Sequence, residues 1–155
     1  MVETLCNECY NQCKQWLFGG TKEGVTMYEF KSDYVTGIES IDDEHKRLFE
    51  IADETYRLSK EEFLVDKYDQ VRQILGELKE YALLHFEHEE AYMESINYKQ
   101  MFIQKVQHDQ FREKVNDLDL DHLDENSDEM IAEILEFLTG WLINHILEHD
   151  KQIGQ

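Results

Sequence analysis

The 155-residue chain has no proline and only seven glycines. Proline fixes φ and lacks an N–H, so its absence removes the strongest helix breaker and leaves helices free to run long. Positive charge is scarce: 15 Lys and Arg stand against 35 Asp and Glu, a formal net charge of −20. A surface of that sign repels phosphate backbones and anionic lipid, which argues against nucleic-acid and membrane partners. Cysteine is sparse and odd in number, with three residues at Cys6, Cys9 and Cys13. That count does not make a disulfide framework, and a reducing, cytoplasmic setting is expected. No stretch reads as long and apolar enough to span a bilayer. The opening residues lack the basic and apolar regions of a secretory signal. Period-two alternation is missing too, so no strand of useful length is expected.

What remains is helical material. Charged residues make up 32% of the chain and apolar ones 41%, a balance that suits amphipathic helices with solvated outer faces. Residues 1–30 read as an N-terminal arm carrying the three cysteines, and residues 31–155 as one domain. On a helix Cys6, Cys9 and Cys13 would line one face, which fits apolar docking, a thiol switch or a three-thiolate site.

Apolar residues recur at three and four positions in four segments. Ile41, His45, Leu48, Ala52 and Thr55 predict a helix to about Lys60, started by a capping box at Ser40–Asp43. Asp66 is placed to cap a second, with Val71, Ile74, Leu75, Leu78, Ala82, His85, Glu89 and Met93 on one face. Asn97 or Tyr98 opens a third, through Gln104, His108, Phe111 and Val115. Asn126 or Ser127 caps a fourth, with Ile131, Ile134, Leu138, Trp141, His145 and Ile146 in line. The expected fold is all-α, an antiparallel up-down-up-down four-helix bundle with an N-terminal arm.

The inward faces are not uniformly apolar. His85 and Glu89, four apart in the run His85-Phe86-Glu87-His88-Glu89-Glu90, share a face. One such pair is adequately explained as a buried hydrogen bond. Each of the other helices, however, also turns an imidazole inward: His45, His108 and His145. Asp150 closes the chain's last His-rich run, but at 100° per residue it stands about 140° round from His145 and reaches the site only through a distorted final turn. A convergent set of imidazoles and carboxylates is metal-binding chemistry, and by ligand type suits iron, with zinc, manganese or copper as alternatives. His88 and His149 read as solvated or supporting neighbours, and His122 as exposed. The acidic link at Asp117–Asp121 lacks the glycine and terminal glutamate of a calcium loop.

These residues carry a resemblance. Tyr34–Asp42 leading into His45-Lys46-Arg47-Leu48, His85-Phe86 with Glu89-Glu90 and Met93, Tyr98, His108 with Phe111, and Trp141–Ile146 with Asp150-Lys151 together resemble the hemerythrin family, and its bacterial members most closely. The resemblance implies two iron ions, oxo- or hydroxo-bridged, enclosed in the bundle. It implies that Glu89 and Asp150 bridge them, that His45 and His85 hold the iron with an open position, and that His108 and His145 hold the other. It implies reversible binding of dioxygen or another diatomic ligand, for storage, delivery or sensing. A monomer is expected, and the sequence names no protein partner. The family's third-helix pattern is His-x-x-x-His, and here its first position is Gln104. A neutral amide in that place opens one alternative, a di-iron enzyme of peroxidase or nitric oxide reductase type; a separate one is an iron- or redox-responsive interaction protein, in which loss of iron loosens the bundle or the arm. Phe30 stands where the family usually has tryptophan.

Overall fold

The computed structural model describes residues 26–123 and 127–155. The readings made for Cys6, Cys9, Cys13 and Asn126 lie outside these residues. Four long helices form the bundle: α1 (Glu39–Ser59), α2 (Lys67–Ser95), α3 (Met101–Asn116) and α4 (Asp128–His145). The last continues through a π-helical turn, Ile146–Asp150, into a short helix α5, Lys151–Ile153. A 3-10 turn, Ser32–Tyr34, precedes α1. No strand occurs among the described residues.

Helix α1 packs against α2 and α4, and α2 against α3. The ring closes where Phe111 of α3 meets Phe137 and Trp141 of α4. The periodic residues of each segment point inward as expected: Leu48, Ala52, Val71, Leu75, Leu78, Phe111, Val115, Ile131, Ile134 and Leu138 are all buried. Their sequestered surface, at about 25 cal/mol per Å² of apolar area, is what holds the helices together.

Two helix starts differ from expectation. α1 begins at Glu39 with Ile38 at the N-cap, and Ser40 does not cap it. Asp42 instead reaches back, accepting bonds from the Thr36 amide and hydroxyl, each at 2.8 Å, and from the Gly37 amide at 3.0 Å. Gly37 lies at φ +88°, a region that favours glycine. α3 begins at Met101, not at Asn97 or Tyr98. Asn97 adopts φ 52° and turns the chain out of α2, while the Tyr98 amide caps back onto the Met93 carbonyl at 2.9 Å. Asp66 and Ser127 do occupy N-cap positions, without a side-chain capping bond.

One stretch does meet the length and composition of a membrane-crossing helix, contrary to the reading of the sequence: the 26 residues Asp128–Ile153. Its apolar side chains are those of a core helix, since Ile131, Ile134, Leu135, Leu138, Leu142 and Ile146 are buried against the other three.

The two ends of the described chain are clasped together. The Met27 and Tyr28 amides donate to Asp53 of α1 at 2.7 and 3.1 Å, and Phe30 and Tyr34 pack on Phe49. Further on, Lys151 donates to the Asp33 carbonyl at 2.8 Å. Gly154 lies so close to the lead-in segment that a Cβ there would stand 2.0 Å from the Thr36 carbonyl oxygen. That obstacle is backbone on both sides and cannot swing away. Gly154→Ala is therefore expected to lower stability by about 1–3 kcal/mol, the usual range for overpacking, measured by chemical denaturation. An unchanged midpoint would show that the clasp is dispensable.

Candidate metal centre

The polar side chains that the sequence singled out are brought to one level of the bundle. His45 comes from α1, His85 and Glu89 from α2, Gln104 and His108 from α3, His145 from α4 and Asp150 from the π-turn, and none is more than 3% exposed. They form a layer between two apolar clusters. On one side lies the main core, including Leu48, Phe86, Phe111 and Leu142. On the other lies a smaller cap of Ile38, Ile41, Met93 and Ile153, with Tyr98 and Met101 packed on it.

Within the layer the donors fall into two pairs of imidazoles joined by two carboxylates. The Nε2 atoms of His45 and His85 are 3.0 Å apart, and those of His108 and His145 are also 3.0 Å apart. Asp150 spans the pairs, with Oδ2 3.3 Å from His45 Nε2 and Oδ1 3.0 Å from His145 Nε2. Glu89 Oε2 is 3.1 Å from His108 Nε2. Two four-residue groups result, His45–His85–Glu89–Asp150 and Glu89–His108–His145–Asp150, each with its donor atoms within 4.8 Å of one another. Donors bound at right angles on one cation at about 2.1 Å are about 3.0 Å apart, which is the spacing found.

Asp150 reaches this layer because the helix changes its winding. In an α-helix five residues would carry it well round from His145. The turn Ile146–Asp150 is π-helical, and its i→i+5 hydrogen bonding places residues five apart nearly above one another. The carboxylate is thereby delivered beside the imidazole one turn earlier.

The outer ring nitrogens decide which atom each histidine turns inward. Taking the neutral rings, His85 Nδ1–H donates to Glu44 at 2.7 Å, His108 Nδ1–H to Glu90 at 2.8 Å and His145 Nδ1–H to the Gln107 carbonyl at 3.0 Å. Each ring's Nε2 is then a lone pair aimed at the centre, the arrangement that supports histidine as a ligand. Those supports are themselves held. Glu44 also takes His88, Glu90 also takes Arg112 at 3.0 Å, and the Gln107 amide donates to His149 at 2.7 Å. Ring planes are set by stacking, Phe86 on His108 with centroids 4.1 Å apart and Trp141 on His145 at 4.5 Å. Glu44, Glu90 and Gln107 were given no role from the sequence, although Glu90 stands in the Glu89-Glu90 match. Their only signal there is that each directly adjoins an inward-facing residue.

The electrostatics favour an added cation. Burial, reinforced by the neighbouring His145, pushes His108 down to about 2. Burial lowers His85 as well, although its bond to Glu44 opposes this. Neutral imidazoles are the form that binds metal. Burial, then the charge of Asp150, raises Glu89 well above the usual carboxylate range. Burial opposes the charge on Asp150, but the facing His145 and His45 rings outweigh it and hold the carboxyl below that range. A hydrogen bond between the facing nitrogens of His108 and His145 would require a second proton on one ring, which burial opposes at His108. Both oxygens of Glu89, Asp150 Oδ2, Gln104 Oε1 and His45 Nδ1 are buried with no hydrogen-bond partner. The donor set thus fits a pair of transition-metal cations held by nitrogen and oxygen.

Comparison with known proteins gives the family. Residues 36–155 match the hemerythrin HHE cation binding domain. The chain belongs to the hemerythrin family. It is 46% identical over 126 residues to the bacteriohemerythrin of Clostridium acetobutylicum, covering 81% of this chain and 98% of that protein. It is 27% identical over 121 residues to the bacteriohemerythrin of Pseudomonas aeruginosa strain PAO1, covering 78% and 75%. With that of Methylococcus capsulatus it shares 26% over 124 residues, covering 79% and 90%. All the inward-facing donors of this hemerythrin lie inside the matched span, and so does Gln104.

The outer partners predict a graded response. Glu44→Ala removes the acceptor of His85 and should weaken metal binding about 10- to 100-fold. Glu44→Gln keeps an acceptor oxygen and should lose much less. Competition against a chelator of known affinity measures both, and equal affinities for the two variants would refute the orienting role.

Proposed function

We propose that this hemerythrin is a non-heme di-iron protein that binds dioxygen, or another diatomic ligand, for storage, delivery or sensing. In this reading His45 and His85 hold one iron, His108 and His145 the other, and Glu89 and Asp150 bridge them. The observation that carries it is the splitting of Asp150 between the two imidazole pairs, Oδ2 toward His45 and Oδ1 toward His145. Two irons held by these residues would supply the reversible electron exchange with dioxygen that no side chain of the protein provides.

The chain's own residues supply selection and shelter. A small cavity of about 20 Å³ lies in the core, lined by Leu48, Ala52, Leu78, Ala82, Phe86, Phe111, Leu138, Thr139 and Leu142. Leu48, Ala82, Phe111 and Leu142 each stand three residues from a ligand histidine, one helical turn along the axis and away from Glu89 and Asp150. A space just large enough for one water-sized probe, with an almost wholly apolar wall, suits a diatomic gas and discourages water. Excluding water protects an oxygen-reactive site from side reactions. The acidic surface is compatible with a freely diffusing cytoplasmic protein.

A second reading, a di-iron enzyme of peroxidase or nitric oxide reductase type, is favoured by Gln104 alone, since a weak neutral donor makes one metal position easier to exchange. Iron analysis with an anaerobic-to-aerobic absorbance titration separates the two. The carrier or sensor reading expects two irons per chain and an absorption band that appears with oxygen and disappears on its removal. Irreversible bleaching, together with turnover when an electron donor and peroxide or nitric oxide are added, would replace it with the enzyme. Filling the cavity gives an independent check. Ala82→Leu should retain both irons while lowering affinity for the diatomic at least tenfold, read from equilibrium gas titration. Unaltered affinity would remove the cavity from the account.

A further inference from the structure

Gln104 is the one member of the polar layer that is neither imidazole nor carboxylate, and its surroundings are specific. It is 1% exposed. Its amide nitrogen lies 3.3 Å from Asp150 Oδ1, the oxygen that faces His145 and not the one that faces His45. Its carbonyl oxygen is buried without any donor. The amide therefore belongs to the second pocket, that of His108 and His145. Both come from Gln104's own neighbourhood: His108 stands one turn further along α3, and His145 shares Asp150 Oδ1 with the amide.

Resting on the paired-metal reading above, we infer that Gln104 is a ligand: its carbonyl oxygen is the fifth protein donor to the metal held by His108 and His145. The amide's two ends then have separate duties. The N–H orients Asp150, and the oxygen meets the cation. A buried amide oxygen left without a partner carries its full desolvation penalty, and coordination removes that cost. The alternative arrangement, an exchangeable position beside Gln104, satisfies the oxygen only through a water held there, since no protein donor reaches it. Ligation by Gln104 also makes the two metal positions unequal. The His45–His85 position has two imidazoles and two carboxylate oxygens, whereas the second adds a neutral hard oxygen. Carbonyl oxygen suits manganese(II) better than it suits copper or zinc. The second position is thus the one better suited to a harder cation.

The test uses the full chain with cobalt(II), whose visible absorption reports coordination number without any oxygen chemistry, and competitive chelator titration for stoichiometry and affinity. The wild type is expected to take up two cobalt ions of distinguishable affinity. Gln104→Leu should lower the affinity of one position at least tenfold, leave the other within twofold, and intensify the visible bands as one ion loses a ligand. Gln104→Glu, which keeps the shape and sharpens the oxygen donor, should raise the affinity of that same position and guards against failure of the leucine variant to fold. Equal loss at both positions in Gln104→Leu would overturn ligation in favour of a purely orienting bond to Asp150, because that carboxylate serves both ions. Two unchanged affinities in both variants, with unchanged spectra, would overturn it as well. A wild-type chain that binds a single ion would defeat the paired-metal reading and this inference together.

Discussion

A layer of nitrogen and oxygen atoms with nothing of the protein's own to satisfy them sits in the middle of an apolar bundle. Five buried polar atoms in it lack a hydrogen-bond partner, and each such atom costs about 1–3 kcal/mol. Against the 5–15 kcal/mol that typically separates folded from unfolded chains, about, that is a large fraction of the whole. Polar layers of this kind persist when something outside the polypeptide completes them. Here the lone pairs of two imidazole pairs converge at the distance expected between ligands of one cation, and two carboxylates join the pairs.

The rest of the molecule can be understood as the apparatus that keeps those donors aimed. Each of three histidines is held from outside by an oxygen of Glu44, Glu90 or Gln107, and two rings are pinned by aromatic stacking. Asp150 is positioned by the π-turn that carries it and by the short helix α5 that follows. That helix is in turn pressed against the lead-in segment by Lys151 and Gly154. A contact between the beginning and the end of the domain thus reaches the centre through a single residue. His45 is the least supported of the four, with its outer nitrogen unpartnered, which places the greatest freedom of adjustment at the His45–His85 position.

The two sides of the polar layer have different characters. Toward the main core the wall is aliphatic and aromatic, with a small void. Toward the carboxylates the cap carries Tyr98, whose hydroxyl is raised first by burial and then by the charges of Asp150 and Glu89. The wall of the first side is uncharged, and the negative charge is concentrated on the second. Gln104 lies on the charged side, beside Asp150.

Much of this was legible in the residues themselves. Absence of proline and apolar recurrence at three and four positions dictate four helices, because only one face of each can be buried. The inward set His45, His85, Glu89, His108 and His145 follows from the same periodicity, since residues four apart must share a face. Asp150 did not follow from it: regular winding points it elsewhere, and only the π-turn, a consequence of packing at the chain's end, brings it in. The starts of α1 and α3 were misplaced for a similar reason, as Asp42 and Asn97 serve local backbone needs that compete with capping. Glu44, Glu90 and Gln107 gave no periodic signal, because a residue beside the inward face acquires its role only when a neighbouring helix presents a ring nitrogen to it. Sequence by itself therefore determined which donors point inward, a property of each helix alone. The tertiary structure decided how far apart they stand and which atom each one offers, because those depend on contacts between helices that no single segment contains.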